Sequence, residues 1–241
     1  TLHPFLGFVQ DPQANPGVSP YGFHGDTAPL FAAATNRMVV AVFGGSFGAQ
    51  FAAQAGDVLA QSLRPLDKEV VVVNLALEGY KQPQQLLALT YLLALGAKID
   101  MVINLDGFNE IALPLAENVT KGVFPLYPRS WYFRLANVND PRIAPKLLAM
   151  DAADEARRQW ARFFTRNRLH RSVVCCLLWK AHDRMLENRK VEIMTALYRE
   201  KPAGAPNYAA TGPALPFETK AALYEYLTRA WQRCSLQMRD V

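Results

Sequence analysis

Met38-Val39-Val40-Ala41-Val42-Phe43-Gly44-Gly45-Ser46-Phe47-Gly48 decides the reading of this chain. A β-branched, apolar run is cut off by two glycines, a serine and a third glycine, and a helix-like segment follows. Such a run reads as a strand buried on both faces, and the glycines as a tight strand-to-helix turn. A serine there stands at the carboxyl end of a strand and at the positive end of a helix dipole. Open α/β sheets take their ligands in that crevice. A glycine-rich turn whose serine merely caps the helix fits this stretch equally well.

Downstream of the turn, Phe51, Ala55, Val58, Leu59 and Leu63 recur near a 3.6-residue period, which predicts a helix over about 47–63, ended by Arg64-Pro65. Glu69 to Ala76, with Val70-Val71-Val72-Val73, reads as a second buried strand. After the loop Leu77 to Gln82, Pro83 opens a leucine-rich helix that stops at Gly96. Ile99 to Leu105 is the third strand and runs into Asp106-Gly107-Phe108-Asn109-Glu110. Strand-helix-strand-helix-strand with right-handed crossovers makes a parallel sheet, so the segments bearing Ser46, Gly79 and Asn109 converge on one edge of it.

The rest of the chain is assigned by contrast with this core. Residues 1–37 are rich in Pro, Gly and Asn and read as an irregular arm, whose Phe5, Phe8, Tyr21 and Phe23 suggest that it is laid on the domain. Residues 112–145 read as irregular, with Phe124 to Trp131 as a packed loop near the mouth of the site. Helices over about 152–167 and 172–198 read as a hairpin inserted after the third strand (140–200), and 217–238 as a last amphipathic helix. A Pro/Gly/Ala stretch over 200–216 joins them. The whole of 1–241 is read as one domain, with 38–111 as its core.

Composition narrows the class. Half of the 241 residues are hydrophobic and a fifth charged, which is ordinary globular usage. The net charge of +5 owes much to Arg157, Arg158, Arg162, Arg166, Arg168 and Arg171, read as a solvated helix face since no nucleic-acid module accompanies them. Cys175, Cys176 and Cys234 are read as buried free thiols, and the apolar run Val173 to Trp179 is too short to span a bilayer. Asn118-Val119-Thr120 matches the glycosylation sequon. No cofactor and no metal site is expected: G-x-G-x-x-G, a Walker lysine and H-E-x-x-H are all missing.

A nucleophilic serine needs a base and donors for the developing oxyanion. Ser46 offers its own N–H, Gly79 an unobstructed backbone N–H and Asn109 a carboxamide, which together favour acyl transfer. Gly44-Gly45-Ser46, Gly79 and Gly107-Phe108-Asn109-Glu110 resemble, in order and in spacing, the first three blocks of the SGNH hydrolases, or GDSL esterases and lipases. The resemblance covers roughly 38–111. It implies a flavodoxin-like α/β/α fold, hydrolysis of ester-linked acyl groups on lipid or carbohydrate substrates, Ser46 as nucleophile, and Ser46, Gly79 and Asn109 as the oxyanion hole. Gly45 and Glu110 stand where that family commonly has aspartate.

The family's last block, Asp-x-x-His, has no match. His182 reads as solvated on a polar helix face, His170 as a surface residue, and His3 and His24 precede the serine, so none is assigned as base. No strand follows the final helix, and the chain reads as cut short, with weak or no esterase activity expected. Gly44 to Gly48 also fits G-x-S-x-G, but that elbow ordinarily follows several strands. The non-enzyme alternative is a domain binding an acyl or sugar ligand on the same frame, with Tyr127, Arg129 and Trp131 as contacts.

Overall fold

The computed structural model describes residues 1–32, 36–63, 68–136, 142–200, 208–215 and 217–241. In chain order the elements are β1 (Leu2–His3), β2 (Gly7–Phe8), β3 (Arg37–Gly44), α1 (Ser46–Ser62), β4 (Glu69–Asn74), α2 (Gln84–Ala94), β5 (Met101–Leu105), α3 (Phe108–Leu113), α4 (Trp131–Ala136), α5 (Ala144–Arg166), α6 (Val173–Arg199), α7 (Tyr208–Thr211) and α8 (Lys220–Asp240). They fall into two compact units, residues 1–131 with 211–241, and residues 132–210.

The first unit is α/β. Its sheet has the order β4-β3-β5, all parallel, with Val40 level with Val72 and Met101. The central strand is buried from Met38 to Gly44, as its unbroken apolar run requires. Alternation divides its side chains between two layers. Val39, Ala41 and Phe43 share a core with Val73, Ala88, Leu89 and Leu92, and so with α2. The other face receives α1, which approaches closely because it turns small residues to the sheet: a Cβ at Gly48 would stand 3.0 Å from the Phe43 carbonyl, and one at Gly56 would touch Val72. Val58, expected on the inner stripe of that helix, is exposed; burial in α1 is confined to Gly48 and Ala49. Helices thus flank both faces of the sheet, an arrangement compatible with three α/β/α layers.

The N-terminal arm belongs to this core. Leu6, Phe8, Val9, Phe23 and Leu30 are buried in it, and the Tyr80 hydroxyl donates to the Phe8 carbonyl at 2.7 Å. Tyr21 stacks on Phe31, whereas Phe5 stays exposed. Residues 112–121, expected to be irregular, are helical: α3 passes into a π-helical turn (Pro114–Asn118) and a 3₁₀ turn (Val119–Lys121). Pro114 is tolerated because it opens the π segment, where its missing N–H is not needed. The expected helix stop at Arg64-Pro65 lies outside the described residues, as do 201–207 and 216 of the 200–216 stretch, whose described part includes the short helix α7.

The second unit is helical, an antiparallel hairpin of α5 and α6. Arg157 pairs with Asp183 and Glu187, Lys190 with Asp154, and Phe164 packs on Trp179. His182 is not on a solvated face: its ring lies 5.0 Å from that of Trp160, with Nδ1 buried. The polar residues around it in sequence point elsewhere, because a helix turns by 100° per residue. Cys175, Cys176 and Cys234 are free but only half-buried. No helix of the described residues is long and apolar enough to cross a membrane.

Candidate functional site

The turn after β3 is built so that only glycine fits. Gly44 has φ +143°, and a Cβ on it would lie 2.3 Å from the Leu105 carbonyl oxygen of the neighbouring strand. Gly45 then serves as N-cap of α1 without any side-chain cap, and no acidic residue occupies the first turn. The first bond of that helix runs from Ala49 N–H to the Gly45 carbonyl at 3.0 Å, which leaves the N–H groups of Ser46, Phe47 and Gly48 without intrahelical acceptors. Ser46 itself is exposed.

Three loops meet at this point. The Asn109 carboxamide donates to the Tyr80 carbonyl at 2.8 Å, joining the loop after β5 to the loop after β4. A Cβ at Gly45 would stand 2.1 Å from Asn109 Nδ2 and 3.3 Å from the Tyr80 carbonyl oxygen, so the turn after β3 touches both. Only one of the two Asn109 amide hydrogens is used by Tyr80. A cleft of about 300 Å³ opens here, lined by Gly45, Ser46, Phe47, Leu105, Asp106, Phe108, Asn109 and Glu110. Phe47 and Phe108, exposed by 71% and 80%, form its apolar sides.

Of the residues singled out in the sequence, Ser46 and Asn109 thus share one cleft. Gly79 does not line it. It is buried with φ +82°, beneath Arg129, whose Cδ would lie 2.5 Å from a Cβ there. Its N–H has no acceptor among the described residues, an uncommon state for a buried donor. His24 hydrogen-bonds Glu78, and no histidine lines the cleft among the described residues.

Both carboxylates of the cleft are anchors. Glu110 accepts from Gly107 N–H (2.6 Å), Gln82 N–H (2.9 Å) and Gln85 Nε2 (3.1 Å). Burial, with Asp106 nearby, raises its pKa against the lowering effect of those backbone donors. Asp106 accepts from Trp231 Nε1 at 2.8 Å, from Gln82 Nε2 and from Asn104, so it ties α8 to the floor of the site.

Sequence reasoning passed over Lys81. It is fully buried, and its ammonium donates to the carbonyls of Pro125 (2.7 Å) and Tyr127 (2.5 Å). Burial lowers its pKa to about 7, although Glu110 and Glu117 pull it upward. Asn118 donates to the Phe124 and Tyr127 carbonyls, and Arg129 pairs with Glu117 at 2.9 Å. The Phe124–Arg129 loop is therefore held down by buried polar groups, with Arg129 over Gly79. Nothing near Lys81 in sequence marks this, because its acceptors lie over forty residues downstream. Asn118, the sequon asparagine, is 1% exposed and engaged by these bonds.

The described residues hold no cluster of three or more His, Cys, Asp or Glu side chains arranged for a metal ion. Depressions on α5 and α6 around Arg157 and Asp183 are shallow, and their charged groups are already paired. No known protein family model matches the chain, and no curated protein or solved structure shows significant similarity to it.

Proposed function

We propose that this chain is a serine ester hydrolase domain of the SGNH type on a flavodoxin-like frame, acting on ester-linked acyl groups. The observation that carries the reading is the mutual contact of three loops, at Gly45, Tyr80 and Asn109, around an exposed serine at an uncapped helix start. Ser46 Oγ, which has no hydrogen-bond partner among the described residues, attacks the ester carbonyl carbon. The carbonyl oxygen becomes an oxyanion, stabilised by the Ser46 N–H and the second Asn109 amide hydrogen; the Gly79 N–H, covered by Arg129, joins them only where that side chain moves aside. Each such donor is worth about 2.7–4 kcal/mol in the transition state. The alcohol leaves, and water then releases the acyl group from Ser46.

The step that these residues do not serve is removal of the Ser46 proton, since no imidazole lines the cleft among the described residues. The 241-residue chain is therefore expected to hydrolyse p-nitrophenyl esters slowly, with the residue of catalysis that an oxyanion hole leaves. The same observation favours a second reading, a domain that binds an acyl or sugar ester in the cleft without cleaving it. A serine-directed fluorophosphonate separates the two. Labelling at Ser46, abolished in Ser46→Ala, supports the hydrolase; no labelling beside measurable ester binding supports the binder. Ordinary esterase rates in this same chain would overturn the missing-base argument.

A further inference from the structure

The tip of the α5–α6 hairpin has a chemistry that the ester site does not use. Between Glu155 and Asp183 the sequence holds no acidic residue but six arginines and a lysine. Arg166, Arg168, Arg171, Lys180 and Arg184 are exposed and have no carboxylate within ion-pair distance among the described residues. Beside them, the first turns of α6 display Val173, Val174, Leu177 and Leu178, each more than three-fifths exposed.

The helix geometry puts these two sets together. At 100° per residue, Val173, Val174, Leu177 and Leu178 fall within an arc of about 140°, which Met185 extends along the helix. Lys180 and Arg184 lie along one border of that arc. The opposite side of α6 is the packed one: Trp179 meets Phe164, His182 meets Trp160 and Asp183 meets Arg157. The apolar arc is therefore left over after the hairpin has formed.

We infer that this hairpin tip docks peripherally on an anionic phospholipid bilayer, the aliphatic arc entering the acyl boundary and the basic border meeting lipid phosphates. Aliphatic insertion beside a basic rim is the pattern of interfacial helices. A second copy of the chain fits poorly, since antiparallel pairing of two such arcs sets their basic borders side by side. A nucleic acid would use the arginines but leave four aliphatic side chains in water.

The test is co-sedimentation of the full chain with phosphatidylcholine vesicles, with and without phosphatidylglycerol, at low and raised salt. The wild type is expected to pellet with anionic vesicles only and to be released by salt. Leu177→Glu with Leu178→Glu, and separately Arg166→Glu with Arg171→Glu, should each weaken partitioning about tenfold or more. All four positions are exposed, and unchanged thermal melting confirms the fold. No pelleting, equal pelleting with neutral vesicles, or indifference to either pair of substitutions overturns the inference. So does a dimer broken by the leucine pair without vesicle binding, which assigns the arc to a second copy. Oligonucleotide binding lost only with the arginine pair, without vesicle binding, assigns it to a nucleic acid.

Discussion

Replacing Lys81 with methionine removes a cation from a site with no solvent access while keeping an unbranched chain of similar length. The native ammonium is held by two backbone carbonyls, and burial lowers its pKa from 10.5 to about 7. The unfolded chain therefore binds more protons here than the folded one between about pH 7 and 10.5, and stability must rise with pH across that window. Below pH 7 both states are protonated and the cost, about 4 kcal/mol at pH 7, is nearly flat. From pH 7 to pH 8.5 it falls by about 2 kcal/mol, against less than about half a kcal/mol from pH 6 to pH 7.

The assay is urea denaturation at closely spaced pH values, in the wild type and in Lys81→Met. Two other shifted groups flank the window. Glu110, raised by burial, loses its contribution as pH rises above the ordinary carboxyl value of 4.5, and Cys234, also raised by burial, acts above the ordinary thiol value of 9.0. Subtracting the variant profile from the wild-type profile cancels Cys234 to first order, whereas Glu110, which interacts with Lys81, cancels only in part. The difference should climb by about 2 kcal/mol between pH 7 and pH 8.5. Its level is offset because methionine leaves the Pro125 carbonyl without its donor, a loss of about 1–3 kcal/mol. Parallel profiles would refute the buried ammonium; a difference that falls with pH would refute its sign.

Three other substitutions probe the site. Gly45→Ala would place a methyl group 2.1 Å from Asn109 Nδ2, so the carboxamide must leave Tyr80; fluorophosphonate labelling of Ser46 should slow by about two orders of magnitude, the size of one lost oxyanion donor, with melting little changed. Gly44→Ala, at φ +143° against the Leu105 carbonyl, should cost at least about 2 kcal/mol in denaturation, and a neutral outcome would contradict the turn geometry. Trp231→Phe keeps an aromatic side chain, though a smaller one, and removes the N–H that Asp106 accepts; at least about 1–2 kcal/mol of stability should go, measured by urea unfolding, and fast proteolysis of α8 would report its release.

The sheet was legible because its signal is local. Val70–Val73 and Met38–Phe43 are runs that only a strand covered on both faces can bury, and the glycines after Phe43 mark where the chain must turn. The third strand begins two residues later than the pattern suggested, at Met101, because Asp100 turns its carboxylate back to accept the Val39 N–H. What periodicity could not show were contacts made across sequence. Proline and aromatic density from Ala112 onward hid the helical path through Pro114. His182 looked solvated until its helix met Trp160. At the site, Ser46 and Asn109 were identifiable from residue type and position, whereas the cover that Arg129 gives Gly79 depends on a loop held down by Lys81 and Asn118.

The two carboxylates of the cleft sharpen the question of the base. A proton acceptor for Ser46 needs a free lone pair facing the hydroxyl and a pKa that lets it take the proton. Glu110 has the raised pKa but is occupied by three donors, two of them backbone N–H groups that fix the loops after β4 and β5. Asp106 is held by Trp231, Gln82 and Asn104. Each carboxylate is held by three donors, and neither of them hydrogen-bonds Ser46, whose hydroxyl has no partner among the described residues. On the proposed reading the cleft offers an electrophile the Ser46 and Asn109 donors, and offers the nucleophile no base. On that reading, efficient turnover requires an imidazole brought to Ser46 from outside the cleft, and without one slow ester hydrolysis is the expected outcome.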